Sequence, residues 1–205
     1  METNQIPKFN ADNLDVTAFF KACHTCSVDH GWWDDKYSDA DDPKLWLGEK
    51  LALTMGECIE ASAEERRFYF TSNGKPEGCV IECADIVIRL ADLCGRAGVL
   101  DHAAYDVNKN YTYTYPWEPG QLKLFRNLQH DYPFMAFIVP INSCLESFRR
   151  TPDWKLVVLD TLYFIYTEAF YKFAEPDNES AFHKALIMKY EYNLSRPYRH
   201  GGLKA

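Results

Sequence analysis

The stretch Leu47-Gly-Glu-Lys-Leu51-Ala-Leu-Thr-Met55-Gly-Glu57-Cys-Ile-Glu60-Ala-Ser62 decides the fold class. Leu47, Leu51, Met55, Cys58 and Ser62 recur at steps of three and four, which is the period of one helix face. Lys50, Glu57, Glu60, Glu64 and Arg67 form a polar stripe beside them, and the pattern predicts a helix over 43–70. Downstream, Cys79-Val-Ile-Glu82-Cys-Ala-Asp85-Ile-Val-Ile-Arg89-Leu-Ala-Asp92-Leu-Cys94 repeats the plan. Val80, Ala84, Val87, Ala91 and Cys94 face inward there, next to a charged row of Glu82, Asp85, Arg89, Asp92 and Arg96. Working outward, prolines and glycines divide the rest into stretches of the same period, predicting helices over 15–29, 78–97, 101–110, 121–130, 141–150, 153–173 and 178–194. Strand-like alternation is confined to Thr112 to Tyr115, so the expected class is all-α, a helical bundle.

The 205 residues, 47% of them hydrophobic, suit a single domain over 1–205. Thirty acidic residues against 22 basic ones give a net charge of -8, which argues against duplex nucleic acid as a partner. The longest apolar candidate, Leu156 to Phe173, is interrupted by Asp160, Glu168 and Lys172, and no membrane span is expected. The opening METNQIPKFN has neither a basic nor an apolar leader region, which gives a cytoplasmic protein as the expectation. Seven cysteines, mostly in apolar helical stretches, read as reduced thiols used as small core residues. Ser143 to Arg150 echoes Ile59 to Arg67, and Val157 to Thr167 echoes Glu82 to Asp92, with Asp160 matching Asp85. The span 102–177 is thus either an enlarged insertion or a degenerate second repeat, the latter making the chain a divergent tandem of helical hairpins.

Glu57-Cys-Ile-Glu60 and Glu82-Cys-Ala-Asp85 are two carboxylate pairs at a spacing of three. That spacing puts both acids of a pair on one helix face, about 4.5 Å apart along the axis. Two such helices packed together aim four carboxylates at one point, where like charges repel unless a cation is present. Hard oxygen donors of this kind suit Mg²⁺ or Mn²⁺. The ending Lys189-Tyr-Glu-Tyr-Asn193-Leu-Ser-Arg196-Pro-Tyr-Arg199-His200-Gly201-Gly202-Leu-Lys204 gathers basic residues against the overall charge. Lys189 and Asn193 lie one helical turn apart, and the donors of this tail fit a polyphosphate.

Together, Gly56-Glu57-Cys-Ile-Glu60-Ala, Glu82-Cys-Ala-Asp85-Ile-Val-Ile-Arg89 with 21 residues between Glu60 and Glu82, and the K-x-x-x-N-x-x-R-P-Y-R-H-G-G ending resemble the MazG-like all-α nucleoside triphosphate pyrophosphohydrolase superfamily, which includes the dimeric dUTPases. The ending is similar to that of phage and bacterial members, although Leu203 here precedes the lysine. The resemblance covers roughly residues 43–101 and 178–204, under half the chain, and the span between them departs from a minimal domain of that family. It implies two or three Mg²⁺ (or Mn²⁺) ions held by Glu57, Glu60, Glu82 and Asp85, and hydrolysis of a (d)NTP to (d)NMP and pyrophosphate. Glu57 or Glu60 would be the catalytic base. Lys189, Asn193, Arg196 and Lys50 would hold phosphates, on this chain's site or on a neighbouring subunit's. Aromatics around the first helix, Phe19, Phe20, Trp32 and Trp33, are candidates for stacking on the base, and Trp33 is included in the expected substrate site.

Three other readings compete. One is a dUTPase-type hydrolase that also accepts diphosphates, and another is a non-catalytic helical binding protein. Zinc at Cys23, Cys26, Cys79 and Cys83 is the third, disfavoured because the cysteines sit within helices rather than on tight turns. The aromatics Trp154, Tyr163, Phe164, Tyr166, Phe170, Tyr171 and Phe173 offer more apolar surface than one helix hides, and a homo-oligomer, dimer or tetramer, is expected.

Overall fold

Seven α-helices follow one another in the computed structural model, which describes residues 7–34, 42–102, 119–174 and 180–199. They are α1 (Val16–Asp29), α2 (Leu47–Ala63), α3 (Cys79–Ala97), α4 (Pro119–Asp131), α5 (Ile138–Arg150), α6 (Trp154–Phe173) and α7 (Ala181–Leu194). A two-stranded antiparallel hairpin, β1 (Tyr69–Phe70) and β2 (Pro76–Glu77), stands between α2 and α3, pairing Tyr69 with Glu77 and Phe70 with Pro76. The all-α class holds. Residues 103–110 of the helix expected over 101–110, the alternation at Thr112 to Tyr115 and the tail residues from His200 onward lie outside the described residues.

The helix expected over 43–70 is shorter. Residues Pro43–Leu45 form a 3-10 turn capped by the Asp42 side chain, and α2 ends at Ala63, where Glu64 turns extended. The chain then enters the hairpin, whose turn carries Asn73-Gly74 with Gly74 at φ 79°. Such a dipeptide favours a reversal over a helix. Gly78, at φ 118°, joins the hairpin to α3, and a Cβ there would overlap the Arg67 carbonyl. The close passage lets the Arg66 and Arg67 carbonyls accept from the Cys79 and Val80 amides at 3.0 and 3.3 Å. These are first-turn donors that have no partner within the helix. Helix α5 begins before Pro140, earlier than expected, because a proline in the first turn removes an amide the helix does not use.

The buried stripe of α2 is Leu47, Leu51, Thr54, Cys58 and Ala61, while Ser62 is exposed and Met55 half-buried. It is rotated from the predicted face because small residues pack closely and the Thr54 hydroxyl satisfies itself on the Lys50 carbonyl at 2.8 Å. That rotation carries Glu57 inward.

Helix α3 is the axle. It packs against α1, α2, α6 and α7, and its buried residues lie on all sides, Ile81, Ile86 and Leu93 as much as Val80, Val87 and Cys94. Its charged row therefore points into the protein. The α5–α6 pair packs beside the α2–α3 pair, with α5 against α2 and α6 against α3, and α6 supplies core to α3. Of the aromatics thought surplus, Trp154, Tyr163, Tyr166 and Phe173 are buried within the chain and only Tyr171 is largely exposed. Among the described residues no helix is long and apolar enough to cross a membrane.

Partial burial of Asp160 on α6 pushes its carboxyl up to about 6. A carboxyl raised in the folded state stabilises fully below its unfolded value near 4 and loses that contribution as pH climbs through 6. Asp160→Asn is therefore expected to melt higher than the parent protein at pH 8, with the gap closing by pH 4, as thermal unfolding across pH would read.

Candidate metal centre and adjoining cleft

Glu57 of α2 and Glu82 and Asp85 of α3 each bring a carboxylate oxygen within 4.8 Å of the others. Glu57 is only 7% exposed and Glu82 is buried too. This is the one such group of three or more His, Cys, Asp or Glu side chains among the described residues, and no cysteine belongs to it. All seven cysteines are free thiols, and burial pushes Cys26 up to about 11 and Cys58 to about 12. Neither a zinc knuckle nor a thiolate nucleophile fits that pattern.

Glu60, one turn beyond Glu57, is exposed and stands outside the convergent three, although Glu57 feels its charge. In its place the structure brings in Glu77, which the sequence reading did not single out. The hairpin swings Glu77 over the start of α3, where it is hydrogen-bonded to Glu82 and paired with Lys75. The available signal was the Asn73-Gly74 turn, which returns the chain toward Glu82.

Two cations meet these acids. Lys189 of α7 is 3% exposed and its Nζ lies 3.2 Å from Asp85 Oδ2. The Arg89 guanidinium reaches Glu57 Oε1 at 2.6 Å. Burial works against the charged form of Asp85, but Lys189 and Arg89 outweigh it and hold the carboxyl below its ordinary range. Burial likewise opposes the Lys189 ammonium, and Asp85 and Glu82 overcome it, raising its pKa. Glu57 is raised by burial and by Asp85, against the pull of Arg89. Burial also lifts Glu82, to about 8 against the pull of Lys189, so that at neutral pH it keeps its proton and donates a hydrogen bond to Glu77. The result is a compact set of hard oxygen donors, partly neutralised by Lys189, Arg89 and the Glu82 proton, of the kind that could hold Mg²⁺ or Mn²⁺. Lys189 serves the acids of its own chain, as their counter-ion rather than as a lining of the cleft.

A cleft of about 320 Å³ opens beside the acids and shares Asp85 and Arg89 with them. Lys50, Asn193 and Arg196 line it, three of the residues expected to bind substrate. Trp33 does not. It is buried, its Nε1 donates to Asp92 at 2.8 Å, and its ring lies under Lys50 Nζ at 4.4 Å. An indole with its N–H and face both engaged anchors the α1 exit, and no base can stack on it. Trp32, its neighbour, lines the cleft instead. Phe19 and Phe20 are core residues, fully buried. Asp92, two turns beyond Asp85, accepts from His24 Nδ1 and Ser27 Oγ at 2.7 Å as well as from Trp33, tying α1 and its exit to α3.

Removing one partner of a buried ion pair strands the other. Lys189→Met is expected to cost about 3–5 kcal/mol in urea unfolding at pH 7. Glu82, raised above its unfolded value near 4.5, contributes stability that is complete below pH 4.5 and is lost as pH rises through 8. In metal-free buffer the parent protein should therefore lose melting temperature relative to Glu82→Gln between pH 6 and 9, and parallel curves would contradict the assignment. The chain matches no protein-family model, no curated protein and no solved structure, so the site itself is the ground on which a function rests.

Proposed function

We propose that the protein is a Mg²⁺- or Mn²⁺-dependent nucleoside triphosphate pyrophosphohydrolase of the MazG-like kind, converting a (d)NTP to (d)NMP and pyrophosphate. The observation that carries the reading is the convergence of Glu57, Glu82 and Asp85 at the edge of a cleft whose other lining includes Lys50, Asn193 and Arg196. Acids alone would repel a polyphosphate, and basic residues alone would hold it without chemistry. Their adjacency favours phosphoryl transfer over the non-catalytic binding reading.

Glu57, Glu82 and Asp85 would hold the ions, with Glu60 at the exposed flank within reach of a second one. When bound, divalent ions neutralise phosphate charge and activate water at neutral pH. The remaining work belongs to the side chains. Glu57, or Glu60 on the same helix, orients the attacking water and takes its proton as the water oxygen bonds to the α-phosphorus. The bond from that phosphorus to the bridging oxygen breaks, and pyrophosphate leaves with the electron pair. Arg89, fixed on Glu57, keeps the carboxylate aimed. Lys50, Asn193 and Arg196 face the charge that grows on the leaving group. Trp32, Leu53 and Ile88 give the cleft an apolar portion suited to a base and sugar. The reading carries with it a homo-oligomer, dimer or tetramer, acting in the cytoplasm of its host.

The test is Mg²⁺-dependent pyrophosphate release from the eight common NTPs and dNTPs. At least one should be a substrate, with Glu57→Gln and Asp85→Asn each lowering kcat/KM by about 10²-fold or more while circular dichroism stays unchanged. Silence across the panel, with no thermal stabilisation by Mg²⁺, would return the protein to the binding class. Orthophosphate or monophosphate release from nucleoside diphosphates would move it to the dUTPase type.

A further inference from the structure

The C-terminal segment after α7 crosses back to the exit of α1. Pro197 ends the helical path, and Arg199 then takes φ 45°, the one non-glycine positive φ among the described residues. An L residue keeps that conformation where its surroundings over-determine it. Here they do. The Arg199 amide donates to the His30 carbonyl at 3.1 Å and its Nε donates to the Gly31 carbonyl at 3.1 Å. The Tyr198 ring lies directly on Gly31, where any Cβ would overlap it, and the Tyr198 hydroxyl donates to Asp34. Gly31, at φ 74°, thus has both its backbone shape and its bare face used by the strap.

What the strap holds belongs to the cleft. His30 and Trp32 line it, and the Trp32 carbonyl accepts from Lys50 Nζ at 3.3 Å. Asp92 fixes the same turn from the inside through Trp33. We infer that Arg199 is a positioning residue, which clamps the His30–Gly31 turn from outside so that Trp32 and Lys50 are presented to the substrate. Its consequence for turnover rests on the pyrophosphohydrolase reading.

Arg199→Gly isolates the side chain, since glycine keeps the positive φ and the amide bond to His30 while removing the guanidinium. Arg199→Ala removes the guanidinium and adds strain. Hydrogen exchange at the Gly31 and Trp32 amides, bonded to Val28 and Ser27, should quicken at least tenfold in Arg199→Gly, with the α3 amides unchanged. KM for the nucleotide turned over best should rise five- to tenfold with kcat within twofold, a split that general loss of stability would not give. Unchanged exchange overturns the clamp whatever the activity. Faster exchange with unchanged KM overturns the positioning role. If the parent protein hydrolyses no nucleotide, the pyrophosphohydrolase reading fails alone, and exchange in the two variants still decides whether Arg199 clamps the turn.

Discussion

Helix α3 is packed against helices on all sides and yet carries Glu82, Asp85, Arg89 and Asp92 along one face. A charge removed from water without a partner costs several kcal/mol, so each of these must be answered by a neighbouring element or, like Glu82, kept neutral at pH 7 by its raised pKa. Lys189 answers Asp85 from α7, and Glu57 on α2 and Arg89 answer one another. His24 and Ser27 on α1, with Trp33 just beyond it, answer Asp92. Much of the arrangement of the bundle follows from that requirement. Apolar packing would let α1, α2 and α7 rotate or slide against α3 by small steps, whereas hydrogen bonds of 2.6–3.2 Å to fixed carboxylates select one register.

The same requirement explains what could be read from the sequence. Periodicity showed α2 and α3 because each has a mainly apolar stripe, and the short carboxylate spacing made Glu57, Glu82 and Asp85 visible as a group. It also misled. A charged row beside an apolar stripe ordinarily means a solvated face, and nothing local says that a second layer will cover it. The burial of Glu57 depended on Thr54 and Ala61 being small enough for α2 to roll, a matter of packing rather than pattern. Glu60 has the same chemistry as Glu57 and fell on the exposed side of that roll.

Trp33 and Lys189 show a second limit. Residue type suggested that an aromatic stacks on a base and a lysine holds a phosphate, and both suggestions are reasonable for an exposed side chain. In the fold each is consumed by an acid from α3: Trp33 by Asp92 and Lys189 by Asp85. Glu77 was hidden for the opposite reason. It sits on a two-residue strand too short to register as alternation, and its place beside Glu82 depends on a turn rather than on any spacing within a helix.

The pairing of Lys189 and Arg89 with the acids has a bearing on assembly in the cell. Because this chain supplies its own positive charge to the carboxylates, the helices can close around them with no divalent ion at hand. Part of the carboxylate charge is thus balanced by side chains of the bundle itself, unlike that of a small domain nucleated by its metal. Under the proposed metal-dependent reading, an ion arriving afterwards would meet a finished scaffold and compete with an ammonium for Asp85. On that reading a monovalent cation would bring no more charge than the ammonium already there, so the scaffold would favour small dications over the far more abundant potassium.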